Sequence, residues 1–458
     1  AKAIRNKDYT VREIVEINLS QIKKINPKVN AIVSLDEEKA LKDADKADKQ
    51  LISGQSVGPL HGLPVAIKDI HHVKGFPTTY GSVALRDNVV SRDEILVERL
   101  RSAGAIIIGK TNVPEFAAGA HTFNKLFGTT RNPYDLSRTA GGSSGGAAVA
   151  VATGMLPLSD GSDMGGSLRY PAAFNNVVGL RPSPGRVPDM KKAMYSPLQV
   201  QGPIARNVQD VSLMMTIISG ADNRSPLSIT ESGSLFLKPF NTDLTDLRVA
   251  WTADLGGTVP VDPEVKRILE NQMEVFRSLG CQVEEACPDF SAAEEIFQIL
   301  RSFEMELTFS DLFDRFQDVM KPSFVWNIKK GRQLRGTDIG RAERLRHELF
   351  HRLREFFKQY DVLLLPVSQV PPFDAELEYP QEVAGVKMET YIEWMKSCYY
   401  ITVTGCPALS VPGGFTDEGL PIGLQIVGPY RSDYEVLRIG HAYEQATNYG
   451  SRRPELVK

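Results

Sequence analysis

Three short segments carry residue types that can do chemistry together: residues 161–169 read GSDMGGSLR, residues 141–146 read GGSSGG, and residues 65–69 read VAIKD. A serine hydroxyl is a weak nucleophile at neutral pH, so it needs a neighbour that takes its proton and donors that hold the oxyanion formed on attack. Gly165 and Gly166 have no side chains, which lets consecutive backbone N–H groups turn toward one point as in an anion-binding nest. Ser167 ends that turn, where its hydroxyl can attack the carbonyl whose oxygen the nest holds. Lys68 follows the apolar run 63–67, which predicts a buried strand; desolvation there lowers the ammonium pKa toward that of a usable base. Ser143 and Ser144, at the opening of a predicted helix over 145–153, are placed to accept or relay the proton.

The elements that must position these groups follow from periodicity. Residues 65–68, 105–108, 249–252, 281–284, 362–365 and 424–427 predict strands with helices between several of them, which argues an α/β layered fold around one central sheet. Residues 10–51 predict helix throughout, with Ser34 and Glu37 as a capping box. Residues 219–247, rich in Ser, Asn, Asp, Gly and Pro, predict a loop crossing into a second half. The aromatic-rich helical segment 297–357 then covers part of the sheet, either as core packing or as a lid on a substrate pocket.

On these residues the chain resembles the amidase signature family, serine hydrolases with a Ser-Ser-Lys triad. The resemblance extends through GKTNVPEF (109–116), FGTTRNPYD (127–135), VVGLRPSPGRVP (177–188), GPIARNVQD (202–210), GCPALSVPGGF (405–415) and GLPIGLQIVG (419–428). It implies Ser167 as nucleophile, Ser143 as a bridging serine beside a cis peptide, and Lys68 as base. It further implies an oxyanion hole from the N–H groups of Met164, Gly165, Gly166 and Ser167, with Ser144 supporting Lys68, and Asp163 and Arg169 supporting from behind. The implied fold is a single domain over 1–458, a central mixed twisted sheet covered by helices on both faces, with a catalytic core at 61–190 and a variable, largely helical region at 220–360. The loop 115–121 is expected alongside the acyl group. Its small residues leave room for bulky or aromatic acyl groups, and the expected substrate contacts are Ala117, Gly119, Gly141, Gly142 and Met164. Two positions depart from the family pattern: Asp160 replaces a small apolar residue, and Met164 stands where Thr or Ile is common. The chain begins inside what resembles the family's first helix, AKAIRNKDY, so further N-terminal residues are expected before it.

Two other motifs compete. Residues 104–111, GAIIIGKT, match GxxxxGK[ST], but the four interior residues are themselves a predicted strand. The preceding helix, with Ser91 and Glu94 as its capping box and Gly104 as its C′ residue, explains the first glycine as a stop. His347-Glu348-Leu349-Phe350-His351 spells HExxH on a predicted helix. There Leu345, Leu349, Leu353 and Phe356 form the apolar face, and both histidines fall on the opposite side among Arg344, Arg346 and Arg354.

A formal net charge of −3 over 458 residues gives no basic footprint for nucleic acid. The four cysteines, 281, 287, 398 and 406, have no metal or redox spacing, so reduced cytosolic thiols are expected. No apolar run approaches a membrane span, and no signal peptide is evident. The expected function is a cytoplasmic amidase, monomer or homodimer, that hydrolyses a C–N bond of a small-molecule amide through an acyl-enzyme, with no cofactor and no metal, no nucleic acid and no membrane partner. Three alternatives stay open: action on carbamates, aryl amides or esters by the same triad; the glutaminase subunit of a tRNA-dependent amidotransferase, against which stands the lack of a GTYALS-like, tyrosine-rich segment near 340–357; and a nucleotide-binding or scaffold protein with a degenerate site.

Overall fold

The structure, a computed structural model, describes residues 2–193 and 195–457; Ala1, which opens the AKAIRNKDY stretch, lies outside them. Its core is an eight-stranded mixed sheet. Across it run Gln282–Glu285, Arg248–Trp251, Val362–Pro366, Pro421–Val427, Ala408–Phe415, Val178–Arg181, Val200–Ala205 and Leu158–Asp163. The first three are parallel and the rest antiparallel. Both faces are covered, and the period-2 alternation of a strand shows how. Leu409 and Val411 face the helix Asp433–Thr447, where a Cβ on Gly440 would lie 2.3 Å from Leu409. The opposite face, at Gly423, meets Ala173 of the helix Arg169–Phe174 at 2.4 Å from such a Cβ. Strands buried on both faces read as continuous apolar runs, as in VLLLP of Val362–Pro366.

The strand of Lys68 belongs to a second, three-stranded sheet: Ile32–Leu35, Ile106–Thr111 and Pro64–Lys68. Side chains stitch it to the edge strand of the large sheet. Ser159 Oγ donates to the Ala66 carbonyl at 3.0 Å, and the Lys68 N–H donates to Asp160 Oδ1 at 3.0 Å. Between the sheets lies the fully buried helix Gly145–Ala152, GGAAVAVA. Its glycines allow that approach, since a Cβ on Gly145 would sit 2.3 Å from Thr122 Oγ1 and one on Gly146 2.4 Å from the Asn112 nitrogen.

The expectation of helix throughout 10–51 is corrected here. The first helix, Val11–Val29, is capped by Asn30 in the left-handed region, and Asn26 Oδ1 takes the N–H groups of Ala31 and Ile32, turning the chain into the strand Ile32–Leu35. Ser34 therefore lies in a strand and caps nothing; the helix Glu37–Ile52 is capped by Asp36, whose Oδ1 accepts from the Lys39 nitrogen at 2.9 Å. The capping box in this region is Thr10 with Glu13. Nor do Ser91 and Glu94 form a box. The helix Ile95–Ser102 starts after Glu94 without a side-chain cap, and Glu94 Oε2 instead accepts from Gln201 at 3.2 Å. Gly104 does follow that helix with φ of +91°.

Segment 297–357 is helical as expected, in Ala293–Phe316, Pro322–Gln333 and Gly336–Phe356. Residues 219–247 are irregular apart from one short turn, Gly233–Leu237. Both competing motifs fall away on geometry. Lys110 is buried and spent inside the protein, 3.2 Å from Asp69 and donating to the His71 carbonyl and Thr78 hydroxyl. Leu349 and Leu353 are buried while His347 and His351 are exposed, and no metal-binding group of three His, Cys, Asp or Glu occurs among the described residues. Arg346 departs from the expected solvent face, since its Nε reaches in to the Val403 carbonyl. No described helix is long and apolar enough to cross a membrane.

Candidate active site

Lys68 is fully buried, and its Nζ lies 2.7 Å from Ser143 Oγ, 2.8 Å from Ser144 Oγ and 2.9 Å from Ser162 Oγ. Burial brings its pKa down to about 7, although Asp160 and Asp163 pull the other way. An amine with three hydroxyl neighbours is satisfied in either state: an ammonium donates to all three, and a free amine donates to two and offers its lone pair to the third. The two serines before the central helix are delivered by that helix's first turn. The peptide between Gly142 and Ser143 is cis.

The turn that carries Ser167 is built around Asp163, the last residue of the strand Leu158–Asp163. Burial opposes its ionisation, yet the Arg169 and Arg181 guanidiniums hold its carboxyl well below the usual carboxylate range. Asp163 then grips the turn from below, its Oδ1 taking the Gly166 N–H at 3.0 Å and its Oδ2 the Leu168 N–H at 3.2 Å. Arg169 ties this knot to the rest of the molecule through the Cys398 carbonyl, Gln425 Oε1 and Thr402 Oγ1. Gly166 is at φ +113°, and a Cβ there would meet the Tyr170 ring at 2.5 Å. No other residue fits.

The same grip engages one of the four N–H groups expected to form an oxyanion hole. The Gly166 N–H is directed to Asp163, whereas those of Met164, Gly165 and Ser167 have no acceptor among the described residues. Ser167 is partly exposed, and its hydroxyl likewise makes no hydrogen bond there. Ser143 and Ser167 line one cavity, but their hydroxyls are not hydrogen-bonded to each other in this structure; such contacts tighten when substrate binds.

That cavity holds about 500 Å³, within the range of small-molecule sites. Ser143, Ser162, Met164, Gly165 and Ser167 border it on one side, and Tyr80, Phe116, Phe297 and Phe309 form an aromatic wall. Of the residues expected to contact substrate, Ala117 and Gly119 also line it, whereas Gly141 and Gly142 do not. A Cβ on Gly141 would meet Pro171 and Phe174 at 3.1 Å, and one on Gly142 the His121 nitrogen at 2.9 Å, so both serve close packing. A larger hollow of about 730 Å³ around Phe303, His347 and Phe350 contains neither Lys68 nor Ser167.

Three residues were missed by sequence reasoning. Ser162 lies two residues after Asp160 on one strand, so both point to the side of Lys68; that spacing was the available signal. Asp160, noted only as a departure, accepts the Lys68 N–H on Oδ1 and faces His71 Nδ1 at 2.5 Å through Oδ2. His71 is buried beside the cavity, and its Nε2 has no hydrogen-bond partner among the described residues. Nothing in the sequence pairs His71 with Asp160.

A family model described as Amidase matches residues 13–437. An acylamidase from Rhodococcus erythropolis is 35% identical over 99% of this chain and 96% of its own length. A glutamyl-tRNA(Gln) amidotransferase subunit of Geobacillus thermodenitrificans is 34% identical, covering 99% of this chain and 97% of its own. Among solved structures, a bacterial aryl acylamidase of the amidase signature enzymes superposes with a TM-score of 0.91 at 27% identity, over 98% of this chain and 96% of that one.

Proposed function

Since this chain belongs to the amidase family and is a hydrolase of amide C–N bonds, we propose that it works through an acyl-enzyme on Ser167, with Ser143 and Lys68 as the proton path. The observation that carries this is the buried Lys68 Nζ held by Ser143, Ser144 and Ser162 beside the cavity that Ser167 lines. As free amine, Lys68 donates to Ser144 and Ser162 and takes a hydrogen bond from Ser143. Ser167 passes its proton to Ser143 as it attacks the carbonyl, and Ser143 passes its own to Lys68. The N–H groups of Met164, Gly165 and Ser167 are free to receive the oxyanion. Collapse of the tetrahedral intermediate expels the amine, protonated by the same path, and water then repeats the sequence on the ester.

Because the base form of Lys68 is the active one, and its pKa is brought down to about 7, kcat/KM should rise with pH through that region and level off above it. Below it the ammonium has no lone pair to offer. A profile flat from well below to well above that value, measured on an uncharged amide, contradicts Lys68 as base.

We place the acyl group against the loop bearing Ala117 and Gly119, with the aromatic wall as its seat. The similarity to acylamidases favours amides of small molecules, and the reading carries with it a cytoplasmic enzyme acting as monomer or homodimer. Ala117→Phe should discriminate against bulky acyl groups by roughly 10- to 200-fold relative to acetyl amides, since overfilling a packed pocket costs about 1–3 kcal/mol. Equal loss on both substrate sizes would move the acyl pocket elsewhere.

A further inference from the structure

One face of the helix Ala293–Phe316 runs along the cavity, presenting Phe297, Arg301, Glu304, Met305, Thr308 and Phe309 at helical spacing. Phe297 marks its register against the chemistry, because a Cβ on Gly165 would lie 3.5 Å from Phe297 Cζ. Arg301 is one turn further, about 6 Å along the axis. It is 4% exposed. Its Nη1 donates to Asn327 Oδ1 and its Nη2 to the Tyr391 hydroxyl, and Asn327 Nδ2 donates to that same hydroxyl at 2.6 Å. Both partners are neutral, and no carboxylate lies within ion-pair distance of Arg301 among the described residues. Buried guanidiniums are ordinarily paired, so one fixed in place by two neutral groups and bordering the cavity has a charge left to satisfy. The Tyr391 ring that holds it packs 3.7 Å from the place of a Cβ on Gly119, which puts Arg301 on the side of the loop assigned to the acyl group.

Of the other cations that line the cavity, Lys191 lies 3.6 Å from Asp189 and Lys192 3.2 Å from Asp311, and Arg92 is the third. The cavity's two acids are weakened: burial raises Glu94, and burial pushes Glu304 up to about 7 against the pull of Lys191 and Arg346. Glu304 also takes a hydrogen bond from Ser196.

We propose that Arg301 anchors a carboxylate carried on the acyl part of the substrate, so that the enzyme prefers monoamides of short dicarboxylic acids to neutral acyl amides. Held by Asn327 and Tyr391, the guanidinium has donors left for a carboxylate, and such charge-assisted bonds are the strong ones. The separation of about one helical turn between Phe297 and Arg301 suits an acyl chain a few carbons long. This inference rests on the acyl-enzyme reading above.

The test uses the anilides of succinic, glutaric and adipic acid, each compared with its methyl ester and with the unsubstituted fatty anilide of equal length. For at least one length, wild-type kcat/KM should favour the carboxylate by roughly 10-fold or more, chiefly through KM. Arg301→Met should bring that ratio to about one, and Arg301→Lys should keep part of it. Wild-type ratios at or below one for all three lengths overturn the proposal without need of a variant. So does a preference that survives Arg301→Met, or a loss that scales both substrate types equally. Fluorophosphonate labelling of the same preparations separates the two readings: labelled Ser167 with no carboxylate preference refutes only the role of Arg301, and absence of labelling at Ser167 refutes the triad.

Discussion

Ser167→Ala is expected to abolish amide hydrolysis, lowering kcat/KM by roughly 10⁴-fold or more, as removal of a nucleophile does in other serine hydrolases. The fold should be indifferent to the change. Ser167 is partly exposed and its hydroxyl has no partner among the described residues, so the alanine variant loses no internal hydrogen bond. Stability should stay within about 0.5 kcal/mol of wild type. Hydrolysis assays paired with thermal melts check both halves, and a variant that melts normally yet keeps a tenth of the activity would show another nucleophile at work.

The second large effect is expected at Lys68 and Ser143. Lys68→Met and Ser143→Ala should each lower kcat by roughly 10³-fold or more, and the double variant should be little worse than the poorer single one, because groups on one proton path act as a unit. Methionine is chosen for Lys68 because it fills much of the buried stem's volume, whereas alanine would leave a hole. It still leaves Ser143, Ser144 and Ser162 without the amine that now bonds all three. Some loss of stability is therefore expected from Lys68→Met and little from Ser143→Ala. Losses that simply add in the double variant would mean that Lys68 and Ser143 act independently.

The parts of the site legible in sequence are those fixed by local chemistry. A lysine at the end of an apolar strand, a pair of serines opening a small-residue helix and a Gly-Gly-Ser turn each announce themselves within a few residues, and the structure brings all three together. What was not legible depends on contacts between distant segments. In sequence Asp160 is only a departure from the family pattern; the packing of its strand beside that of Lys68 shows it holding the Lys68 N–H and His71. That the Gly166 N–H donates to the Asp163 carboxylate, itself held by Arg169 and Arg181, is likewise visible only in the folded chain. Arg301 is one of many arginines in sequence, and its position on the cavity wall is set by a helix far from the motifs.

The fold shows the same division. Each of the six expected strands falls on an observed one, two of them short by three residues at one end, and segment 297–357 is helical with two breaks, but Leu158–Asp163, Val178–Arg181, Val200–Ala205 and Ala408–Phe415 of the central sheet were not read as strands. The strand Ile32–Leu35 was hidden because its pairing with Ile106–Thr111 is non-local, while helical periodicity flanks it on both sides. Tertiary pairing overrode local propensity there. The caps failed for a related reason: Asp36 rather than Ser34 caps Glu37–Ile52, and Glu94 caps nothing because its carboxylate accepts from the distant Gln201.

The most direct test of the central claim is to treat the enzyme with a fluorophosphonate and locate the adduct by peptide mass spectrometry while following activity. One adduct per chain, on Ser167, formed in step with loss of hydrolysis, is the expected result. Modification of a different residue in step with inactivation, or activity that survives full modification of Ser167, would contradict an acyl-enzyme at that serine.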